Sequence, residues 1–313
     1  MSDGAGVVAA IFPGQGSQAV GMGRELYETS PAAKRVLDEA EAALPGLLAL
    51  MWEGPAEKLQ LTANQQPALV AAGAAAFAAY LEAGGTAPRL AAGHSLGEYT
   101  AHVAAGTLGV ADAVRIVRKR GQYMQDAVPA SAGAMAAVLK LDEDVIRQVL
   151  AEVAAGGAAD LVAVANLNAP GQTVISGTAE GVAKATDALK ARGGRLIPLK
   201  VSAPFHSPLM APAATRLATD LAAVAFREPG LTVVCNVTAE PLQGAAQAAR
   251  LLTEQVTAPV RWVECVRKLA ALGATRYVEF GSGTVLVGLL GRILPDATGV
   301  AVTDSGSLAA AVA

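Results

Sequence analysis

Apolar positions fall into two kinds of run along the chain, and their alternation predicts an α/β protein. The first kind is short and continuous. Val7–Phe12 (VVAAIF) stops at Pro13-Gly14, as expected of a strand covered on both faces in a parallel sheet. RLAAGHS (89–95), TVVCNV (232–237) and RYVEF (276–280) read as further strands. The second kind has helical spacing, near Arg24–Tyr27, at 31–44 and at 111–127. Ser30-Pro31 marks one helix start, a side-chain cap followed by proline at the first helical position. Residues 67–83 are apolar all round and read as a buried helix.

Between residues 130 and 201 the order changes. AMAAVLKL is strand-like and DEDVIRQVLAEVAA helical; LVAVANLN and QTVISGT are two strands joined through Ala169-Pro170-Gly171; AEGVAKATDALKARG is helical and RLIPLKVS a last strand. That β-α-β-β-α-β order is the ferredoxin-like split motif. Strands of the larger sheet lie on both sides of it. The expected organisation is therefore an α/β core of residues 1–129 and 202–313 with a mostly parallel sheet, interrupted by a small ferredoxin-like subdomain at 130–201.

Composition removes several function classes. With 313 residues, 53% apolar and 16% charged, the chain has ample material for a large core and is too apolar for disorder. A net charge of −3 provides no basic field, so no nucleic-acid partner is expected. Mean hydropathy is +0.40, yet the run Ala68–Leu81 is too short and too alanine-rich for the ~20 strongly apolar residues of a membrane span. Residues 1–12 lack a basic start and a cleavage-like site, so no secretory leader is expected. Cys235 and Cys265 are isolated; they suit packed thiols in a reducing cytoplasm rather than a disulfide framework or a metal site.

Candidate chemistry begins at GHSLGEY (93–99). Gly-x-Ser-x-Gly between a strand and a helix presents a nucleophilic serine on a sharp turn, which makes the core α/β-hydrolase-like and Ser95 the candidate. The alternative is a glycine-rich turn whose serine caps a helix. A serine needs a base, and the chain has three histidines. His94 adjoins Ser95, where neighbouring side chains diverge. His102 lies about two helical turns on, ~10 Å along the axis. His206 remains, in VSAPFHSP (201–208), where Pro204 and Pro208 keep the segment rigid and out of helix. A plain surface-loop histidine is the alternative there. Over a hundred residues follow His206, whereas in α/β-hydrolases the base comes late and after the acid. Elbow geometry makes the Leu96 N–H one donor to a tetrahedral oxyanion.

Two further stretches have rival readings. Gly14, Gly16 and Ala19 after the first strand nearly fit a dinucleotide fingerprint, but Asp38, at the right spacing for a ribose contact, falls in a helical pattern. Arg115, Arg118, Lys119 and Arg120 read as a solvated helix face, or as a source of one arginine that holds an anion by two parallel hydrogen bonds.

Taken in order, FPGQGSQ (12–18), GHSLGEY (93–99), RKRGQYMQ (118–125), ANLNAPGQ (165–172) and VSAPFHSPLM (201–210) resemble the malonyl-CoA:acyl carrier protein transacylases over nearly the whole chain. The resemblance implies ping-pong transfer of malonyl from malonyl-CoA, through a malonyl-Ser95 ester, to the phosphopantetheine thiol of acyl carrier protein. It implies a cytoplasmic role in fatty acid elongation, without metal or bound cofactor. Gln15 would be the second oxyanion donor and Arg120 the clamp on the malonyl carboxylate. Gln255, in TEQVTAPVRW (253–262), would orient His206 through its main-chain carbonyl in place of a triad acid. Gln66 and Asn166 match polar positions lining the site. Phe205, with Leu96, accompanies malonyl rather than bulkier branched groups. Arg115, Arg118 and Lys119 would be a solvated face or part of a carrier-protein docking patch. One departure is GSG at 281–283, where the family often has Gly-Pro-Gly. A serine thioesterase, a discrete polyketide acyltransferase and a non-catalytic scaffold are the rival functions.

Overall fold

Val7–Phe12, the first apolar run, is the central strand of the larger sheet in the computed structural model, which describes residues 6–129, 131–157 and 161–313. The expected domain limits at residues 1 and 130, and the first five residues read for a leader, lie outside the described residues. The strands are β1 (Val7–Phe12), β2 (Leu90–Gly93), β3 (Gly133–Leu139), β4 (Val162–Ala169), β5 (Gln172–Thr178), β6 (Arg195–Pro198), β7 (Thr232–Val234), β8 (Ala274–Phe280) and β9 (Thr298–Val302).

One sheet runs β7-β2-β1-β8-β9, with each neighbouring pair parallel. The two-residue period of β1 divides its side chains between two cores. Val8, Ala10 and Phe12 pack with the helices Pro31–Ala43, Thr62–Glu82 and Val110–Asp126; Ala9 and Ile11 pack with Trp262–Ala271 and Val285–Ile293. Both faces are covered, which is why β1 has no polar residue. The second sheet, β4-β5-β3-β6, is antiparallel and has its own core against helices Glu143–Ala154 and Ala179–Ala191. An α/β-hydrolase-like core with a ferredoxin-like βαββαβ unit is thus the fold class. Leu167 N–H donating to the Val260 carbonyl (2.9 Å) and Val260 N–H donating to the Ala165 carbonyl (2.8 Å) stitch β4 to the core.

Several elements differ from their sequence patterns for local reasons. The alanine-rich helix starts at Thr62, so Pro67 lies inside it. Proline leaves the carbonyl four residues earlier without its helical donor. Arg118 Nη1 supplies one, at 3.0 Å from the Ala63 carbonyl, and a second contact from the same nitrogen goes to Asn64 Oδ1. Arg118 is therefore structural, while Lys119 is paired with Asp220 at 2.6 Å. Strand β7 stops at Val234 because Asn236 turns towards the elbow. The edge strand β9 has no counterpart among the expected elements; it is short, half-buried and weakly patterned. Among the described residues no helix is long and apolar enough to cross a membrane.

His102, on the helix Gly97–Ala104, is fully buried, and neither ring nitrogen has a hydrogen-bond partner among the described residues. Burial pushes its pKa down to about 4. The unfolded chain, with an ordinary histidine, then binds more protons between that value and about 6.5, so this group removes stability as pH falls. His102→Leu should reduce the stability lost between pH 7 and pH 5 by about 2 kcal/mol relative to the parent, as read from urea midpoints at the two pH values.

Candidate active site

Two glycines shape the turn that carries Ser95. A Cβ on Gly93 would lie 1.9 Å from the Gly97 carbonyl carbon, and one on Gly97 would lie 2.0 Å from the Phe12 carbonyl oxygen. Only glycine lets the helix Gly97–Ala104 start so close to β1 and β2. Ser95 itself sits at φ 52°, the left-handed region that a side chain avoids unless its surroundings hold it there. Its N–H donates to Asn236 Oδ1 at 2.7 Å, while Asn236 Nδ2 donates to the Gly93 carbonyl at 2.7 Å. The N–H groups of Gly97, Glu98 and Tyr99 donate to the carbonyls of His94, Ser95 and Leu96. The Leu96 N–H takes no part in these bonds. The Leu96 side chain is wholly buried in the core, so what this residue can offer a reacting group is its amide.

The Ser95 hydroxyl lies 2.7 Å from His206 Nε2, deep in a cleft of about 440 Å³ between the two sheets. His206 is also at positive φ, 55°, in a segment braced by Ser207 Oγ donating to the Pro204 carbonyl at 2.7 Å. On its other side, Nδ1 faces two carbonyls, Gln255 at 2.9 Å and Ala258 at 3.1 Å. Carbonyls only accept, so Nδ1 carries the proton and Nε2 is free to take one from the serine. Burial first, and then the nearby Arg120 charge, push His206 down to about 3, which keeps it neutral and ready as a base at neutral pH. His94 is drawn away: its Nε2 meets Asn168 Oδ1 at 2.8 Å and its ring packs on Trp262.

Arg120 approaches the nucleophile from behind. It is 1% exposed, yet each of its hydrogen-bond acceptors is neutral. Nη1 donates to Gln66 Oε1 at 2.8 Å; Nη2 donates to Gln255 Oε1 at 3.0 Å and to Ser95 Oγ at 3.3 Å. Close packing of its helix makes this reach possible, since a Cβ on Gly121 would strike Ala63 and Thr62 backbone atoms at 2.6 Å. The nearby Glu98 carboxyl supports this cation through space without a hydrogen bond to it, so the guanidinium can still take an anion as a direct partner.

The remaining candidates flank this cluster. Gln66 is fully buried and joins Arg120 to Gln15, whose Oε1 it meets at 3.4 Å. Gln15, Asn166 and Phe205 line the cleft. The loop bearing Gln15 is tied to the C-terminal turn by Ser282 Oγ donating to the Ser17 carbonyl at 2.6 Å, so the serine of GSG gives the turn a hydrogen bond that proline could not make. Asp38 is engaged by Lys34 and Tyr27 on an exposed helix face, which removes the ribose contact a dinucleotide site would need. Two buried residues escaped the sequence reading: Asn236, which braces the elbow, and Glu98, three residues beyond the nucleophile. Asn236 signals itself only as a polar side chain in the apolar run TVVCNV and Glu98 only by its place in GHSLGEY, and burial is what gives either meaning.

Comparison with known proteins gives the same picture. The acyl transferase domain model matches residues 10–303. A malonyl CoA-acyl carrier protein transacylase of Bacillus subtilis (strain 168) is 48% identical over 97% of this chain and 96% of that protein. The crystal structure of an acyl-carrier-protein S-malonyltransferase from Burkholderia pseudomallei 1710b superposes with a TM-score of 0.93 at 45% identity, covering 98% of this chain and 99% of that one. A malonyl-transacylase solved in complex with a type II PKS acyl-carrier protein gives a TM-score of 0.93 at 43% identity, with coverage of 98% and 99%. The chain belongs to the acyl transferase domain family, among the malonyl CoA-acyl carrier protein transacylases.

Proposed function

We propose that the protein transfers malonyl from malonyl-CoA to the phosphopantetheine thiol of acyl carrier protein by a ping-pong route through Ser95. One observation carries this reading: a buried arginine without an anionic hydrogen-bond partner stands 3.3 Å from the Oγ of an activated serine. A simple hydrolase has no use for a cation there, whereas malonyl presents a carboxylate near its thioester carbon.

In the first half-reaction His206 Nε2 takes the Ser95 proton as Oγ attacks the thioester carbonyl. The Leu96 and Gln15 amides receive the oxyanion. Collapse expels the CoA thiolate, which takes the proton from His206 and leaves malonyl-Ser95 with its carboxylate on Arg120. In the second, His206 accepts the proton of the pantetheine thiol, sulfur attacks the ester carbonyl, and the proton returns to Ser95 as its oxygen leaves. Gln255 holds His206 through its carbonyl, which fixes the tautomer with less charge stabilisation than a carboxylate would give. Gln66 steadies the guanidinium, while Asn166 and Phe205 line the acyl pocket, Phe205 limiting its width. Nucleophile, base and oxyanion donors all come from the chain, so the chemistry requires no metal or resident cofactor.

Residues 1–129 and 202–313 are assigned to the catalytic core and 130–201 to an inserted subdomain that supplies one wall of the cleft. The free, buried thiols of Cys235 and Cys265 suit a reducing cytoplasm. Fatty acid elongation is the proposed use; a polyketide acceptor is the second reading, favoured by the neighbour bound to a type II PKS carrier.

Intact mass spectrometry tests the scheme. Brief exposure to malonyl-CoA should add one malonyl group to the protein, and added holo carrier protein should remove it and gain it. Rapid release of free malonate without an acceptor thiol would identify a hydrolase instead.

A further inference from the structure

Glu98 is a carboxylate with no exposed surface, and the scheme above gives it no task. Its Oε2 accepts from Gln255 Nε2 at 2.8 Å and from the Asn236 N–H at 3.0 Å. Gln255 is the residue on which nucleophile, base and clamp converge. Its Nε2 also donates to the Ser95 carbonyl at 3.0 Å, its Oε1 accepts from Arg120 Nη2 at 3.0 Å, and its main-chain carbonyl faces His206 Nδ1 at 2.9 Å.

The two ends of a glutamine amide are alike in size and opposite in hydrogen-bonding sense. What decides which end meets Arg120 is the chemistry on the other side. There, Glu98 and the Ser95 carbonyl offer only acceptors, so the NH₂ turns to them and the oxygen turns to the guanidinium. A reversed amide would set oxygen against oxygen and NH₂ against a cation.

We infer that Glu98 is a positioning residue: by locking the Gln255 amide it aims Arg120 at the malonyl carboxylate, and so helps set the preference for a carboxylated acyl group. The inference rests on the acyl-transfer reading given above. Burial raises Glu98 to about 7, yet Oε2 remains an acceptor when the proton sits on Oε1. Reach and an acceptor atom are what the geometry demands, and a formal charge is not.

Two small substitutions separate these properties. Glu98→Gln keeps the reach and an acceptor oxygen without the charge; Glu98→Asp keeps the charge and shortens the reach by one methylene. Adduct formation from malonyl-CoA and from acetyl-CoA is timed for both variants and the parent by intact mass. Losing one hydrogen bond in a charged network changes rates by about tenfold or more, so Glu98→Asp should lower the malonyl-to-acetyl ratio by that factor. Glu98→Gln should hold the ratio within about threefold of the parent. The reverse order, with Asp retaining the ratio and Gln losing it, would mean that Glu98 acts as a counter-ion and would overturn the inference. A parallel fall with both thioesters, leaving the ratio fixed in Glu98→Asp, would overturn it too, since Glu98 would then merely support the elbow. If the parent forms no adduct with either thioester, the acyl-transfer reading fails and this inference falls with it.

Discussion

Ser95→Ala should leave a folded protein that forms no malonyl adduct and whose transfer rate falls by at least about 10⁴-fold. The loss is expected to be this large because no second hydroxyl among the described residues shares the base: His206 Nε2 meets Ser95 Oγ at 2.7 Å, while the other hydroxyls described in the cleft, on Thr62 and Ser202, bond to each other at 2.8 Å. The fold should survive because the bond from residue 95 N–H to Asn236 is a main-chain one. An adduct of undiminished yield on another residue would sink the mechanism. The same position also reports on strain. At φ 52° alanine keeps the left-handed penalty and glycine does not, so Ser95→Gly should melt higher than Ser95→Ala by a margin corresponding to about 1 kcal/mol. The nucleophile's conformation is thus a stability cost borne by the elbow and offset by the Asn236 brace.

How much of this was legible beforehand depends on whether a residue acts through its type or through its surroundings. The parallel core followed from VVAAIF, because a strand covered on both faces must be apolar throughout. The βαββαβ unit followed from element order alone. The partner of Ser95 could be narrowed because only three histidines exist, and one of them, His206, sits between prolines outside any helix. Arg120 was different. Among four neighbouring cations nothing in the pattern distinguishes it, and the family resemblance was needed to single it out. In the fold Arg118 serves the carbonyl that Pro67 leaves open, while Arg115 and Lys119 stay largely exposed. The roles of Glu98 and Asn236 are not legible, since a polar residue declares its role only when the fold shows what it faces. Leu96 shows the same limit in reverse: its apolar side chain is expected to bear on specificity, and the fold places that side chain in the core.

Arg120→Ala should slow malonyl transfer by about 10²–10³-fold while costing far less with an uncharged acyl-CoA, because a buried carboxylate left without its cation loses about 3–5 kcal/mol. Arg120→Lys should recover only part of the loss, since a single ammonium cannot reproduce two parallel hydrogen bonds. Equal losses with charged and uncharged thioesters would refute the clamp. The same substitution has an electrostatic signature. Arg120 is the second-largest cause, after burial, of His206's lowered basicity. Removing the cation should raise the His206 pKa, and His206 must be neutral to act as a base. The acid limb of the pH–rate profile, measured with an uncharged thioester, should therefore move to higher pH in Arg120→Ala, and a limb that stays put would separate clamp from base. In the parent the malonyl carboxylate would do reversibly what the mutation does permanently. Seated on the guanidinium, it would offset the charge that holds His206 down, so the cognate substrate would increase the basicity of the residue that activates Ser95 in the proposed route. An uncharged acyl group would occupy the same cleft without that effect. Selectivity would then reside in the chemical step as well as in binding, and it should appear in kcat as well as in KM.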